Sequence, residues 1–363
     1  MNLPTPDTPS SGLPNNHGLG RRANIGDVAR AAGVSVATVS RAIRGLPNVA
    51  ASTRARVLSV AADLNYRPDP AATRLAAGIT KAVAVAVPDP SAWYFAQVVG
   101  GIDHELNAAG YDLLLSGIAD EEQKRHFLDL NSPGGRRADA IALIDVALSH
   151  DEALFYTEAR YRLTTVGFRT DGHSSVMIDN LLAARRATDH LTSLGHRRIG
   201  LVGMSVETRQ RAGRRQIGSH LNPVVSLRRR GYLDACAAVG VEVDGSLELT
   251  LGHHSDDVRS EVAGLLVRPD RPTAVFAMCD EQAFGVILAA RDLGIRIPED
   301  LSVVGIDDHD QSEVVGLTTV RQHVKRQGHL AGQVLLESFG TTPIQDVKLP
   351  TELVVRSSTA PPA

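Results

Sequence analysis

The sequence of 363 residues is poor in cysteine and in aromatic side chains. Its two cysteines, Cys236 and Cys279, are too few for a disulfide framework and lack the spacing of metal ligands, which fits a reducing compartment. No apolar run approaches the roughly 20 residues that a membrane span requires. Residues 1–20 are rich in Pro, Ser, Asn and Gly and contain no apolar signal core. We therefore expect a soluble, cytoplasmic protein without a membrane segment.

Motifs for catalysis are also missing from the sequence. Gly203-Met204-Ser205 lacks the second glycine of a nucleophile elbow, and no Gly-Lys-Ser/Thr phosphate loop or paired-histidine metal motif occurs. The neighbours His253 and His254 have no third ligand at metal spacing, so we expect them to be polar side chains at the surface of the protein. These absences argue against an enzyme and predict neither a metal ion nor a cofactor.

Positive charge is concentrated in one segment of a chain whose formal net charge is −3. Residues 21–81 hold ten Arg or Lys against three acids, which leaves the rest of the chain acidic. A basic segment on an acidic body indicates that only this segment meets a polyanion. A nucleoid-type architectural protein would instead be basic throughout.

Three short helices are predicted within the basic segment. Apolar residues recur at helical spacing over residues 25–32, and Gly33 then breaks the pattern. Ser35 is suited to cap a second helix, and a third is expected over about residues 52–64. Three short helices of this size are typical of a small DNA-binding unit.

Beyond Lys81, short apolar strands alternate with amphipathic helices, beginning with the strand Ala82–Val87. Further strands are predicted at residues 111–115, 140–144, 163–166, 199–202, 273–277 and 301–305. Near-continuous apolar strands that alternate with helices indicate parallel sheets covered on both faces. The segment is long for one sheet, so we expect two doubly wound halves with a ligand cleft between them, although no internal sequence repeat is apparent.

One stretch, Asn24–Arg41 (NIGDVARAAGVSVATVSR), resembles the helix-turn-helix of the lactose-repressor/galactose-repressor family. The likeness continues through Asp69–Gly78, which is similar to the family's hinge helix. Further markers such as Leu194–Gly200 and Ser302–Asp308 extend it to about Arg356. The resemblance implies a sequence-specific transcriptional regulator, expected to be a repressor, that binds a palindromic operator in double-stranded DNA and is controlled by a small-molecule effector such as a sugar or related metabolite.

The resemblance also implies an α/β protein with a definite domain order. An all-α helix-turn-helix domain is expected over 23–68, and a hinge helix and linker over 69–81. A two-lobed periplasmic-binding-protein-like domain with two doubly wound parallel sheets is expected over 82–356, and disordered tails over 1–22 and 357–363. Because no heptad leucines for a tetramerising coil follow, we expect a homodimer. A transport binding protein would share the two lobes, but it would carry an export signal and no helix-turn-helix.

The candidate DNA contacts lie mainly on the second helix. Arg41 is suited to pair with guanine, whereas Val36 and Ala37 offer only apolar contacts, for instance with a thymine methyl group. In the hinge, the resemblance implies that Leu75 wedges into the minor groove, although a lone leucine in a linker is more often a packing residue. The candidate phosphate contacts are Thr38, Ser40, Asn48 and Arg54.

The candidate effector site follows from the resemblance as well. Arg228 and Asp307 are expected to form a polar clamp, with Gln322 nearby and an aromatic ring from Tyr94 or Phe95. In the alternative interpretation, Asp307 caps a turn and Arg228 is a solvated helix charge.

Three positions depart from the family's pattern at this site. Cys279 stands where the family often has a ligand-binding Asn, Gly167 replaces a frequent Asp, and His254 occupies a position that is often aromatic. Because a thiol is a weak hydrogen-bond partner, the effector is expected to be less hydroxylated than a sugar. The sequence leaves open its identity and whether it induces or co-represses.

The loop between Met204 and Ser226 is longer than the family's. It carries four arginines, Arg209, Arg211, Arg214 and Arg215. A solvated, mobile loop is one interpretation, and a lid or an anion site at the mouth of the cleft is the other.

Overall fold

The structure is a computed structural model that describes residues 23–67, 79–135, 137–204, 223–340 and 343–363. The chain divides into two compact units, Met1–Gly78 and Ile79–Ala363. Leu75 and the four arginines of the long loop lie outside the described residues.

Residues 23–67 form three helices: α1 (Ile25–Ala32), α2 (Val36–Ile43) and α3 (Ala51–Asp63). Side-chain oxygens cap the first two helices, because Asn24 Oδ1 and Ser35 Oγ each accept a backbone N–H at 3.1 Å. Between these helices Gly33 adopts a φ of 62°, a left-handed conformation that suits glycine. The three helices enclose a core of small apolar side chains, namely Val28, Ala29, Ala32, Val39, Ala42, Val57 and Ala61. The predicted helix-turn-helix is confirmed.

The second unit contains two sheets, each of six strands among the described residues. The first, here the N-lobe sheet, comprises β1 (Ala82–Val87), β2 (Asp112–Gly117), β3 (Ala140–Ile144), β4 (Leu163–Val166), β5 (Ser174–Ile178) and β11 (Asp346–Leu349). The second, here the C-lobe sheet, comprises β6 (Ile199–Met204), β7 (Glu248–Leu251), β8 (Ala274–Ala277), β9 (Ser302–Asp307), β10 (Thr318–Arg321) and β12 (Glu352–Val354).

The two sheets share one strand order despite the lack of a sequence repeat. The N-lobe order is β11-β5-β4-β3-β1-β2 and the C-lobe order is β12-β10-β9-β8-β6-β7. All neighbours pair in parallel except β10 and β12, which are antiparallel. The prediction of two doubly wound parallel halves is therefore confirmed.

Helices cover both sheets. They are α4 (Trp93–Ala108), α5 (Glu121–Leu130), α6 (His150–Glu158), α7 (Asn180–Ser193), α8 (Pro223–Ala238), α9 (Ser255–Leu266), α10 (Asp280–Asp292), α11 (Ser312–Val315) and α12 (Val324–Glu337). Helix α12 packs against α4, and α7 packs against α8. Where α12 crosses α4, a Cβ at Gly328 would lie only 2.2 Å from the Val98 carbonyl oxygen, so the two backbones touch. No described helix has the length and apolar character needed to cross a membrane.

The chain passes between the lobes three times within the described residues. After β5 it enters the C-lobe helix α7, after β10 it returns through α12, and after β11 it passes to β12. The polypeptide therefore crosses between the two lobes three times within the described residues of one compact unit.

The C-terminal residues differ from the expected disordered tail over 357–363. Ser358 is 2% exposed, and its hydroxyl donates to the Val303 carbonyl at 2.6 Å and accepts from the Thr318 N–H at 2.8 Å. The Ala360 N–H donates to Ser302 Oγ at 3.0 Å. The composition of the segment favours disorder, because it contains no local signal for a helix or strand. The order of the segment comes instead from tertiary contacts with β9 and β10.

Deletion of residues 357–363 is expected to lower the free energy of unfolding by about 2–5 kcal/mol, because it leaves several buried polar groups without partners. The deletion also removes one of the partners of the His196 ring, which is 1% exposed and bonds to the Ala360 carbonyl at 2.9 Å. Urea unfolding measures the effect, and deletion of the exposed residues 361–363 alone should cost less than about 0.5 kcal/mol. Equal stability of both truncated chains would contradict the structural role of Ser358 and Ala360.

Candidate functional site

Helix α2 buries one face in the core of the first unit and presents the other to solvent. Val39 and Ala42 are buried, whereas Val36 is 47% exposed and Ala37 and Arg41 are also exposed. Among the described residues, no group forms a hydrogen bond or ion pair with the Arg41 guanidinium. The exposed face therefore presents two small apolar side chains and one unpaired cation, a combination suited to base edges.

The predicted phosphate contacts have mixed surroundings. Asn48 is exposed and Ser40 is half-buried. The Thr38 hydroxyl lies 2.9 Å from the hydroxyl of the capping serine, and Arg54 Nη2 donates to the Leu46 carbonyl. Thr38 and Arg54 thus help to hold the helix start and the loop after α2, in addition to any contact with a ligand.

In the second unit, most of the predicted effector residues meet at the carboxyl ends of strands. Asp307 is the last residue of β9, Gln322 directly follows β10, and Cys279 follows β8. Tyr94 lies in the first turn of α4, which follows β1. Ligand sites of doubly wound sheets lie at this edge, because the loops there converge from neighbouring strands.

Arg228 on α8 is a buried side chain, only 4% exposed. Its Nε donates to Asn180 Oδ1 at 2.9 Å, and its Nη1 donates to the Met278 carbonyl. The Asn180 amide in turn donates to the Gly167 carbonyl at 3.1 Å. Arg228 is therefore no solvated helix charge, and its guanidinium is held in a fixed orientation.

A hydrogen-bonded chain links the C-lobe to helix α4. Asp307 is 4% exposed and accepts from Gln322 Nε2 and from the Asp280 N–H, the latter at 3.3 Å. Gln327 Nε2 donates to the Gln322 carbonyl at 2.8 Å, and the Tyr94 hydroxyl donates to Gln327 Oε1 at 3.4 Å. These hydrogen bonds connect the Asp307 carboxylate at the end of β9 to the residue after β10, and from there to α12 and α4.

The other three predicted effector residues have different surroundings. The Phe95 ring is partly buried and lies edge-on to Tyr94, with ring centroids 5.2 Å apart. Cys279 is 6% exposed at the N-terminus of α10. The side chain of His254 is 52% exposed, and its Nε2 lies 3.3 Å from Asp89 Oδ2.

Sequence reasoning missed Asp145, which follows β3. Its side chain is 9% exposed, and its Oδ1 has no hydrogen-bond partner among the described residues. A Cβ at Gly167 would lie 1.8 Å from this oxygen, so Asp145 occupies space that a larger residue 167 would fill. The sequence signal for Asp145 was Gly167, which stands where the family frequently has Asp. This glycine removes a carboxylate from the end of β4 and leaves room for one from the end of β3.

The buried charges of this cluster perturb each other. Burial raises the pKa of Asp145 to about 7, although the charge of Arg228 opposes the rise. Burial, and then the charge of Asp280, raise the pKa of Asp307 as well. Burial and the neighbouring Asp145 likewise raise the pKa of Tyr94. The charge of Arg228 thus acts on both Asp145 and Asp307 and opposes the effect of burial on the pKa of each.

Asp280, by contrast, has its partners within the fold. It accepts from Thr319 Oγ1 at 2.6 Å, from Ser312 Oγ at 2.7 Å and from the His309 N–H at 2.9 Å. Asp280 thus anchors the loop after β9, whereas Asp145 Oδ1 is a buried oxygen without a hydrogen-bond partner among the described residues.

Trp93 joins the two lobes beside this cluster. Its indole Nε1 donates to Asp310 Oδ2 at 3.2 Å, and its ring lies 4.4 Å from the His309 ring. Its backbone N–H donates to Glu281 Oε2 at 3.3 Å. Because Trp93 is the single tryptophan of the sequence, its fluorescence reports on the contact between the lobes.

Substitution of Asp145 by Asn is expected to stabilise the free protein at neutral pH. Since the pKa is raised to about 7 on folding, the folded chain holds a proton that the unfolded chain releases, and stability falls as pH rises from about 4 to about 7. Asp145→Asn removes this loss, so the variant should exceed the parent by about 1–3 kcal/mol above pH 7.

Urea unfolding across this pH range measures the difference. Asp171→Asn is the control, because that side chain is 96% exposed and should change stability by less than about 0.5 kcal/mol. If the free energies of unfolding of Asp145→Asn and the parent differed by the same amount at all pH values, the pKa of Asp145 would not be raised.

Comparison with known proteins identifies both units. Residues 24–69 match the bacterial regulatory proteins of the lacI family, and residues 188–359 match the periplasmic binding protein-like domain. Catabolite control protein A of Priestia megaterium is 32% identical over 342 residues, which cover 92% of this chain and 98% of that protein.

Two solved structures have the same arrangement of elements. The transcriptional regulator CelR in complex with cellobiose is 27% identical, with a TM-score of 0.64, and the alignment covers 93% of this chain and 100% of that chain. The lac repressor dimer bound to operator and the anti-inducer ONPF is 24% identical, with a TM-score of 0.75, and covers 94% of this chain and 100% of that chain, which shows a common fold.

Of these similar proteins, CelR is a transcriptional regulator and the lac repressor was solved on its operator. The helix-turn-helix of the first unit and the two lobes of the second correspond to the two matched domains. The chain therefore belongs to the lacI family of bacterial regulatory proteins, DNA-binding transcriptional repressors controlled by small-molecule effectors.

Proposed function

We propose that this protein binds a pseudo-palindromic operator in double-stranded DNA as a homodimer and releases or tightens that DNA when a small polar effector occupies the cluster around Arg228. The proposal rests on a structural difference between the two units. One unit presents an exposed helix face with an unpaired arginine, and the other encloses an incompletely satisfied polar cluster. The role is regulatory rather than catalytic, and binding to genomic DNA assigns the protein to the cytoplasm.

In this proposal α2 is the recognition helix. Arg41 pairs with guanine in the major groove, and Val36 and Ala37 contact apolar base edges. Thr38, Ser40, Asn48 and Arg54 are assigned to phosphates, which fix the register of the helix without specifying sequence. A two-fold dimer reads two such half-sites. The similar lac repressor was solved as a dimer on its operator, which supports this arrangement.

Leu75 is assigned to the centre of the operator. The support is the resemblance of the segment Asp69–Gly78 to the family's hinge helix. An apolar wedge in the minor groove unstacks a base step and bends the duplex, which favours a flexible pyrimidine-purine step between the half-sites.

The chemistry of the cluster indicates the class of effector. Asp145 Oδ1 is a buried acceptor without a partner among the described residues, and a ligand O–H or N–H placed there would satisfy it. Asp307 and Arg228 add an acceptor and a fixed cation, while Tyr94 and Phe95 offer an aromatic face. The Cys279 thiol replaces a stronger hydrogen-bonding group. We therefore propose a small polar molecule with at least one donor and fewer hydroxyls than a sugar.

Arg41→Ala is expected to weaken operator binding by about 1–3 kcal/mol per half-site and to relax preference at one base pair of each half-site. Selection of binding sites from random DNA measures both effects. Arg56→Ala is the matched control, because Arg56 is an exposed arginine on α3 of the same unit. That variant should at most weaken binding uniformly across sequences, and an unchanged preference with Arg41→Ala would remove this residue from the readout.

Asp307→Asn is expected to reduce effector affinity on the order of 10–100-fold while operator affinity without effector stays unchanged, because the loss removes a ligand contact in the second unit only. Trp93 fluorescence serves as the readout, first with cellobiose, the ligand of the similar CelR structure, and then with less hydroxylated metabolites. The control is Asp256→Asn on the exposed side of α9. A full response in Asp307→Asn would place the effector elsewhere.

A further inference from the structure

Two imidazoles and a carboxylate converge where the lobes face each other. His253 and His254 follow β7 of the C-lobe sheet, and Asp89 follows β1 of the N-lobe sheet. His253 Nε2 lies 3.1 Å from Asp89 Oδ2, and His254 Nε2 lies 3.3 Å from the same oxygen. All three potential ligand atoms lie within 4.8 Å of one another. The third ligand that the sequence lacks beside the histidines is thus supplied by a residue 164 positions away.

The carboxylate of Asp89 is held in place by its own loop. Asp89 Oδ1 accepts from the Ser91 N–H at 2.8 Å and from Ser91 Oγ at 2.6 Å. These bonds leave Oδ2 directed at the two imidazoles. Hydrogen bonds to a metal ligand commonly fix its orientation in this way.

We propose that Asp89, His253 and His254 form a binding site for a divalent metal ion of the zinc class. Zinc bonds to nitrogen and carboxylate oxygen of about 2.0–2.2 Å place the ligand atoms of a tetrahedron about 3.3 Å apart. The two separations from Asp89 Oδ2, 3.1 and 3.3 Å, correspond to this spacing. Two imidazoles select zinc, cobalt, nickel or copper over magnesium and calcium, which prefer oxygen ligands.

The surroundings of the site suit a cation that enters from solvent. The side chains of Asp89 and His253 are 16% and 19% exposed, and that of His254 is 52% exposed, so a fourth position faces water. Glu281 interacts electrostatically with both His254 and Asp89, which adds negative charge next to the ligands. A bound ion would have ligands in both lobes and would favour arrangements that keep the lobes together.

A second group of potential ligands provides a matched control. His104, Glu105 and His329 also lie within 4.8 Å of one another. They belong to α4 and α12, which pack together, and His329 Nδ1 lies 2.9 Å from Glu105 Oε1. An ion there would join two neighbouring helices and would not connect Asp89 to the C-lobe.

Cobalt titration of the untagged, chelator-treated full-length protein tests the proposal. Tetrahedral Co²⁺ absorbs visible light, so each bound equivalent is counted directly, and Zn²⁺ should displace it while Mg²⁺ should not. The double variant His253→Gln/His254→Gln is expected to lose one equivalent of Co²⁺. Ser91→Ala should lower its affinity by about 10–100-fold by releasing Asp89.

The control double variant His104→Gln/His329→Gln should retain the equivalent assigned to Asp89 and the two histidines. Thermal unfolding without metal verifies that all variants are folded. The proposal is overturned if the parent protein binds neither ion, or if His253→Gln/His254→Gln binds Co²⁺ as the parent does. The assay contains no DNA and no effector, so its outcome is independent of the proposed regulatory function.

Discussion

A guanidinium removed from water must be balanced by acceptors and carboxylates, and the cluster of the second unit is arranged around this requirement at Arg228. Asn180 and the Met278 carbonyl accept its hydrogen bonds, while the carboxyl groups of Asp145 and Asp307 interact with it electrostatically from different lobes. The balance is incomplete, because burial raises the pKa of both carboxyl groups and Asp145 Oδ1 has no partner among the described residues. A ligand that donates a hydrogen bond to Asp145 would complete the balance.

Much of the fold could be predicted from the sequence, because its main strands are continuous apolar runs. The strands β1 and β3 begin and end where the apolar run does, and β4 lies between the apolar residues Leu163 and Val166, although its two central residues are threonines. Strands β5 and β10 were not predicted, because each begins with two buried polar residues, Ser174-Ser175 and Thr318-Thr319, so that no apolar residue marks its start. Ser358 illustrates the same limit, since its order comes from contacts with Val303 and Thr318 rather than from its neighbours in sequence.

The residues of the polar site were likewise only partly predictable from the sequence. Arg228, Asp307 and Gln322 were found because a family resemblance carried them. In the structure Gln322 donates a hydrogen bond to Asp307, and Arg228 interacts with Asp307 electrostatically. Asp145 has no local sequence signal, and only the vacant side-chain position at Gly167 pointed to it. No local pattern joins Asp89 to His253, because the fold alone brings the two lobes into contact there. Side chains that lie far apart in the sequence and meet in the fold can be recognised as one site only when the topology is known.

In the proposed function, occupancy of the cluster around Arg228 and binding of operator DNA are energetically coupled. Linkage requires that the effector changes operator affinity by the same factor by which the operator changes effector affinity. The direct test measures both factors on the full-length protein, with operator binding at zero and saturating effector and effector binding at zero and saturating operator. We expect two equal factors of at least about 5, in the range usual for allosteric coupling. An effector that binds through Asp307 yet leaves operator affinity unchanged would contradict it.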